Sequence, residues 1–376
     1  MTSRMRGRVL PLHGALLLCS SLLAGGRYRA AALLTTTWWR TTMELAAAGG
    51  AANSCRAADR VPLLELGPSL VRAIVVRRPS ERNRSPYVGD VRLPDGRIAM
   101  AHMPALDMGG KCVAGAEVLL KVAVDRKGRP VGTDAMGKHG TPKCEYILQL
   151  LRVEDPENAH LGGCWVGAHP SIGEKVAAAL LGAGALDAAL GSSLVGVQRE
   201  VANPAGCDMR CDFVATGACG RRWVIEVKTV VDSDYNPATA PSRKGCVFLG
   251  HTVPYERAAI FPWGNARQKG LDGERVVSAR AIKHVHELAL LARGERTEAD
   301  GTRLGAALVF VVVRADALSF RPNAEACPSF AQHLREAHAA GVTVVARRVS
   351  WSDSGEAFDE GEIPVRLSDS TGDGDS

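Results

Sequence analysis

Eight consecutive apolar residues, Ala306-Ala307-Leu308-Val309-Phe310-Val311-Val312-Val313, constrain the fold of this chain more than any other feature. The run is far shorter than the roughly 20 residues a membrane-spanning helix needs, and its valine-rich makeup suits a strand. With no polar side, such a strand must be covered on both faces, as at the centre of a parallel sheet flanked by helices. The surrounding pattern agrees. It reads as an Ala/Leu-rich helix over 170–190, strands over 193–201, 210–215 and 223–230, a helix over 275–293, the apolar strand, a helix over 328–340 and a last strand over 342–349. Ser171 followed by Glu174 reads as a capping box for the first helix. Helix, three strands, helix and strand specify an α/β domain over 160–350, interrupted by a long irregular insert at 231–273.

Upstream the pattern is different. Short extended runs at 74–76, 87–93, 97–101, 118–124 and 146–153 are separated by Pro-Asp-Gly and Gly-rich turns, with a charged loop at 125–143. Five strands without a helix predict a small β-barrel over 72–155. At 376 residues the chain has room for both domains, and 46% apolar against 23% charged residues excludes a disordered or fibrous protein.

Charge is unevenly spread. Residues 1–60 hold eight basic and two acidic residues, 61–350 hold 37 and 30, and 351–376 hold one and eight. No acidic residue precedes Glu44, while Arg4, Arg6, Arg8, Arg27, Arg29 and Arg40 punctuate a stretch rich in Ala, Leu, Ser and Thr. Residues 1–60 therefore read as a cleavable presequence and linker. The first half resembles a secretory signal and the second an organelle transit peptide, which points to a plastid ahead of a mitochondrion and to no membrane span in the mature protein. The acidic, Gly/Ser-rich segment 351–376 reads as a tail. The ten cysteines are irregularly spaced and lack any C-x-x-C, so reduced, mostly buried thiols are expected, and Cys207, Cys211 and Cys219 lack a fourth zinc ligand.

The chemistry concentrates in one hairpin. Asp212 lies in an extended run, and fourteen residues later Glu226 and Lys228 stand at i and i+2 on the next strand, hence on one face, with Val227 turned to the core. A turn containing Gly217 and Gly220 brings Asp212 beside them. Two carboxylates and a lysine at neighbouring strand positions are what a Mg²⁺ (or Mn²⁺) site for phosphodiester hydrolysis requires: hard oxygen ligands, and a cation near water and phosphate. The same residues on an exposed strand would form an ordinary solvated ion pair.

Asp…Glu-x-Lys on this order of elements resembles the restriction-endonuclease-like, or PD-(D/E)XK, nucleases. Further blocks are more specific: Tyr87-Val88-Gly89-Asp90-Val91, Ala101-His102-x-Pro104, Trp165-Val166-Gly167, Arg199-Glu200-Val201, Arg210-x-Asp212-Phe213, Glu226-Val227-Lys228, Arg280-x-x-Lys283-His284-x-x-Glu287-Leu288 and Phe320-x-Pro322. In that order, over roughly 72–350, they resemble the sugar fermentation stimulation protein (SfsA) family. The resemblance implies an α/β (α+β overall) protein in which a small OB-like β-barrel precedes a restriction-endonuclease-like domain, with DNA as partner. Carried over, it makes Asp212 and Glu226 metal ligands and catalytic groups, Lys228 the residue that polarises water or steadies phosphate, and Glu200 a further acidic member.

Arg210, Arg280, Lys283, His284 and His102 would contact nucleic acid. The alternatives are a structural salt bridge from Arg210 to Glu226 or Asp212, and on the helix a Lys283–Glu287 pair with a solvated His284. Three departures stand out: Ala105-Leu106-Asp107 where the family has Asn-Thr-Gly, Trp263-Gly264 where it has Asp-Ala, and Ala281 after Arg280 where it has Gly. Arg243, Lys244, Tyr255, Arg257, Phe261, Trp263, Arg267 and Lys269 give the insert the makeup of a single-strand stacking surface. The expected function is DNA binding with metal-dependent nuclease activity. The alternatives are a non-catalytic DNA-binding regulator on a nuclease-like scaffold and a protein that acts on RNA or a nucleotide.

Overall fold

Alternation of inward and outward residues builds the first layer of the structure, a computed structural model that describes residues 60–367 apart from 68, 106–107, 139, 155–162 and 241–246. The presequence over residues 1–59, Leu106-Asp107 of the departing block, Arg243-Lys244 and the last residues of the acidic segment lie outside the described residues. The first strands are β1 (Leu64–Glu65), β2 (Leu70–Arg77), β3 (Val88–Arg92), β4 (Ile98–His102), β5 (Glu117–Val122), β6 (Tyr146–Val153) and β7 (Cys164–Gly167). β2 to β6 coincide with the five extended runs. They form a sheet in the order β4-β3-β2-β5-β6-β7, and a parallel pairing of Ala101 with Tyr146 and His102 with Ile147 joins β4 to β6. That pairing closes five strands into the expected OB-like barrel. Val75, Val91, Ala101, Val118, Leu120 and Leu148 fill its interior. A Cβ at Gly89 would fall 2.7 Å from the Sδ of the buried Met103, which would have to shift.

The second layer set runs α1 (Ser171–Gly182), α2 (Asp187–Leu190), β8 (Leu194–Ala202), β9 (Arg210–Gly217), β10 (Arg222–Val230), β11 (Asp232–Ser233), β12 (Ala258–Phe261), β13 (Gln268–Lys269), β14 (Arg275–Val276), α3 (Ala279–Arg293), β15 (Gly305–Val312), β16 (Ser319–Pro322), α4 (Pro328–Ala339), β17 (Thr343–Trp351) and β18 (Glu356–Ile363). A seven-stranded sheet takes the order β1-β18-β17-β15-β10-β9-β8, with β10, β15 and β17 parallel. Every residue of β15 is buried. Ile172, Val176 and Leu180 of α1 pack with Ala307 and Val309 on one side of it, while Ile282 and Leu288 of α3 and Phe330 of α4 pack with Leu308 and Phe310 on the other. The apolar octet thus sits where its composition requires. No helix among the described residues is long and apolar enough to cross a membrane.

Four local expectations are corrected. The single helix over 170–190 divides into α1 and α2, because Gly184 turns the chain with φ of +68°. Ser171 does not cap it: its hydroxyl pairs with His169 Nδ1 at 2.8 Å, and Glu174 binds Arg199. The insert is less irregular than its composition suggests, since β11, β12 and β16 make a small sheet. The acidic segment after Trp351 is not a free tail up to residue 367. Glu356–Ile363 pairs antiparallel with β17, burying Ala357 and Ile363 while Asp359 binds Arg347 across the ladder. Acids on the polar side of a strand and apolar residues on the other resemble a tail only when the arginines opposite are unseen.

Candidate active site

The β9–β10 hairpin pairs Phe213 with Ile225, so Asp212 and Glu226 are the next positions along adjacent strands. Asp212 Oδ2 accepts the Val227 N–H at 2.6 Å. Val227 packs beneath, against the α1 side of the sheet. Glu226 points to the opposite side and is only 2% exposed. Its Oε1 accepts from the Lys228 ammonium and from His284 Nδ1, the latter at 2.6 Å, while its Oε2 is buried with no hydrogen-bond partner. An ionised oxygen left bare in the interior is costly, and burial pushes carboxyl groups toward the neutral form. Burial pushes the Glu226 carboxyl up as well, but the His284 hydrogen bond and the Lys228 charge outweigh it and hold Glu226 below the usual range. Asp212 goes the other way. Burial first, and the neighbouring Glu226 charge second, push it up to about 6.

This is a fit for a divalent cation bound by oxygen. Two carboxylates crowd each other, and one presents a bare oxygen that no group among the described residues satisfies. Among the described residues no group of three or more His, Cys, Asp or Glu side chains forms a metal cage. Two carboxylates suit Mg²⁺, which keeps several waters and completes its shell with substrate phosphate.

The Asp212 strain predicts a stability effect. A carboxyl whose folded pKa is raised binds its proton more tightly in the native state, so stability falls as pH rises from about 4 to about 6, and the cost is complete above that window. Asn keeps an acceptor for the Val227 N–H but has no charge. Asp212→Asn is therefore expected to stabilise the protein in EDTA at pH 7.5 by on the order of 1–3 kcal/mol, with no gain at pH 4. Urea unfolding at the two pH values measures it, and equal stabilities at pH 7.5 would remove the electrostatic argument.

The other expected site residues fall into different places. His284 is buried, not solvated, and belongs to the carboxylate group through Glu226. Lys283 binds Asp208 at 2.7 Å instead of Glu287, and Glu287 is itself buried and accepts from Arg296 Nε at 3.3 Å. Arg210 pairs with neither Asp212 nor Glu226 but with Glu200, at 3.5 Å. Glu200 lies across the β8–β9 ladder from the Asp212 region, its backbone in the left-handed region at φ +53° and its carboxylate committed to Arg210. Arg280 is exposed and reaches His284 Nε2 through its Nε at 3.4 Å. His102 ends β4 in the barrel, where burial and the Arg78 guanidinium lower its pKa. Among the described residues no hydrogen bond or ion pair joins it to the carboxylate pair.

The aromatic and basic residues of the insert divide likewise. Tyr255 donates to Asp234, Arg257 binds Asp316, and Phe261 packs edge-on to Phe330 with ring centres 5.2 Å apart. Those three are structural, which corrects the expectation of one stacking surface. Trp263 and Arg267 remain accessible, lining a cleft of about 810 Å³ with Arg77 and Val113 of the barrel. The feature that sequence reasoning missed is the role of His284. Its signal was present, since 284 shares the α3 face with the buried Ala281 and Leu288, but which strand lies beneath that face was not legible.

Comparison with known proteins places these observations among relatives. A family model described as the sugar fermentation stimulation protein RE domain matches residues 276–355. A sugar fermentation stimulation protein homolog of Thioalkalivibrio sulfidiphilus is 29% identical over 284 residues, covering 75% of this chain and 90% of that protein. Another, from Syntrophotalea carbinolica, is 26% identical over 306 residues, covering 81% of this chain and all of its own length. In three dimensions the chain is similar to Pyrococcus furiosus SfsA, solved in complex with Ca²⁺, with a TM-score of 0.52 at 22% identity over 81% of this chain and 99% of that one.

Proposed function

We propose that this chain, which is similar to sugar fermentation stimulation protein homologs over about three quarters of its length, binds DNA and hydrolyses its phosphodiester bonds with Mg²⁺ or Mn²⁺ at Asp212 and Glu226. The observation that carries the reading is the bare, buried Oε2 of Glu226 beside the crowded Asp212, with Lys228 on the same carboxylate. The cation, when bound, supplies Lewis-acid activation of water and neutralises charge on the phosphate.

The protein's own groups do the rest. Asp212 and Glu226 present oxygen atoms from two adjacent strands, so their separation is set by the backbone ladder. Lys228, only 12% exposed, places its ammonium where it donates to an attacking water or to a phosphate oxygen. His284 holds Glu226 in one rotamer through its Nδ1–H, with the ring anchored on α3. This arrangement positions a phosphodiester without needing any base-reading element, and the modest basic surplus of residues 61–350 is consistent with a backbone-gripping protein.

The deciding experiment incubates the protein with labelled single- and double-stranded DNA and RNA in Mg²⁺, Mn²⁺ or EDTA and reads binding and product size together. Cleavage of DNA with either metal and none in EDTA is the expected result. Salt-dependent binding without products would leave a DNA-binding protein on a nuclease-like scaffold, and preference for RNA would move the substrate.

A further inference from the structure

We propose that the cleft on the far side of His284 from Glu226, about 580 Å³ in volume, is a second phosphate subsite, which takes the backbone phosphate next to the one held at Asp212 and Glu226. The inference rests on the nuclease reading above for what occupies the first position. Arg210, Lys269, Arg280 and Lys283 line the cleft, Asp208 stands with them as the one carboxylate, and the buried His284 lines it too. Four cations around one concavity exceed what the local carboxylates neutralise.

The existing partners of two of those cations are easily displaced. Lys283 binds Asp208, whose side chain is 79% exposed, and Arg210 binds Glu200, which is 49% exposed. Exposed pairs of this kind contribute little, so an entering phosphate replaces these carboxylates at small cost. Arg280 and Lys269 have no carboxylate partner among the described residues. Arg280 uses its Nε toward His284 Nε2, which leaves both terminal amino groups for a bidentate grip on phosphate. The cleft also lies at the start of α3, a helix of 15 residues whose N-terminal dipole adds positive potential there.

His284 links the two positions. Arg280 Nε donates to His284 Nε2, so Nδ1 carries the hydrogen that it donates to the Glu226 carboxylate. One imidazole therefore fixes Glu226 on one side and Arg280 on the other. A strand laid across the site would place one phosphate at the carboxylates and a neighbour on Arg280, which makes the preferred substrate a polynucleotide and not a mononucleotide.

The test measures binding in EDTA, where turnover plays no part, with inorganic phosphate and a short single-stranded oligonucleotide as the two probes. Lys269 and Arg280 are exposed, and Lys269→Gln with Arg280→Gln leaves the core untouched, which thermal unfolding verifies. That double variant is expected to bind both probes roughly tenfold more weakly. Its oligonucleotide salt slope should also be shallower by about 0.7 for each cation lost. Asp208→Asn, which removes the competing carboxylate, is expected to bind both about two- to fivefold more tightly. Oligonucleotide affinity unchanged in the double variant overturns the subsite, as does weaker binding in Asp208→Asn. Phosphate binding lost in the double variant, in a protein that ignores the oligonucleotide, sustains the anion cleft and rejects the nucleic-acid reading instead. Wild-type protein that binds neither probe rejects both.

Discussion

Glu226→Gln is expected to reduce metal-dependent DNA cleavage to the level seen in EDTA while leaving DNA affinity in EDTA unchanged. Glutamine keeps the volume of the side chain and an oxygen that accepts from His284 Nδ1 and Lys228. It loses the charge, and it can place an amide N–H₂ where the bare Oε2 stands. A cation is repelled by that group, so the loss should exceed the roughly 10–100-fold that follows when a partner behind a metal ligand is removed. His284→Gln provides the comparison, since it disturbs only the orientation of Glu226. Circular dichroism spectra matching wild type would assign the loss to chemistry. A Glu226→Gln protein that retains a tenth or more of the cleavage rate would falsify the assignment.

Asp316→Asn is expected to cost about 3–5 kcal/mol of stability, the effect of leaving a buried charge without its partner. Arg314 is fully buried and donates to Asp316 through Nε at 2.6 Å and Nη2 at 2.8 Å, while Arg257 donates to the same carboxylate. Arg314 Nη1 reaches the Val231 carbonyl at 3.1 Å, and Arg314 bridges to Val166 of β7. The ion pair thus sits at the seam where the strand leaving the barrel meets the end of the central sheet. Burial alone would push the Asp316 carboxyl up, but Arg314 and Arg257 overcome it and hold it far below the usual range. A depressed folded pKa gives stability that is present above the unfolded value of about 4 and lost as pH falls toward the folded one. The difference between wild type and variant should therefore be full at pH 7 and shrink in acid. Guanidinium titrations at pH 7 check it, and a loss under 1 kcal/mol would show that solvent reaches Arg314.

How much of this could be read in advance depends on the range of the interaction concerned. The octet 306–313 had to be a doubly covered strand because burial of an apolar run is a local property. The five barrel strands were legible because alternation and turn residues act over a few positions, while the pairing of β2 with β5 and the closure of β4 on β6 were non-local steps. Asp212, Glu226 and Lys228 were legible because a hairpin brings them together with little help from the rest of the fold. The two halves of α1 and α2, and the return of 356–363 as β18, were not. The helix divides at Gly184, a turn residue inside an otherwise helical pattern, and the acids of 356–363 resemble a tail until Arg347 is placed opposite Asp359.

Residue types and short-range spacing thus determined the α/β class, the barrel, the pairing of two carboxylates with a lysine, and the resemblance to the sugar fermentation stimulation proteins. Only the tertiary structure decided which charged groups are desolvated. His284 lies 58 positions from Glu226, and no period in α3 could tell that its ring faces a carboxylate instead of water. The same is true of Arg314, of Arg210 turning to Glu200, and of the cleft where Arg280 and Lys269 meet. Charge acquires its chemical meaning from burial and from what faces it, and both are set by packing between elements distant in sequence.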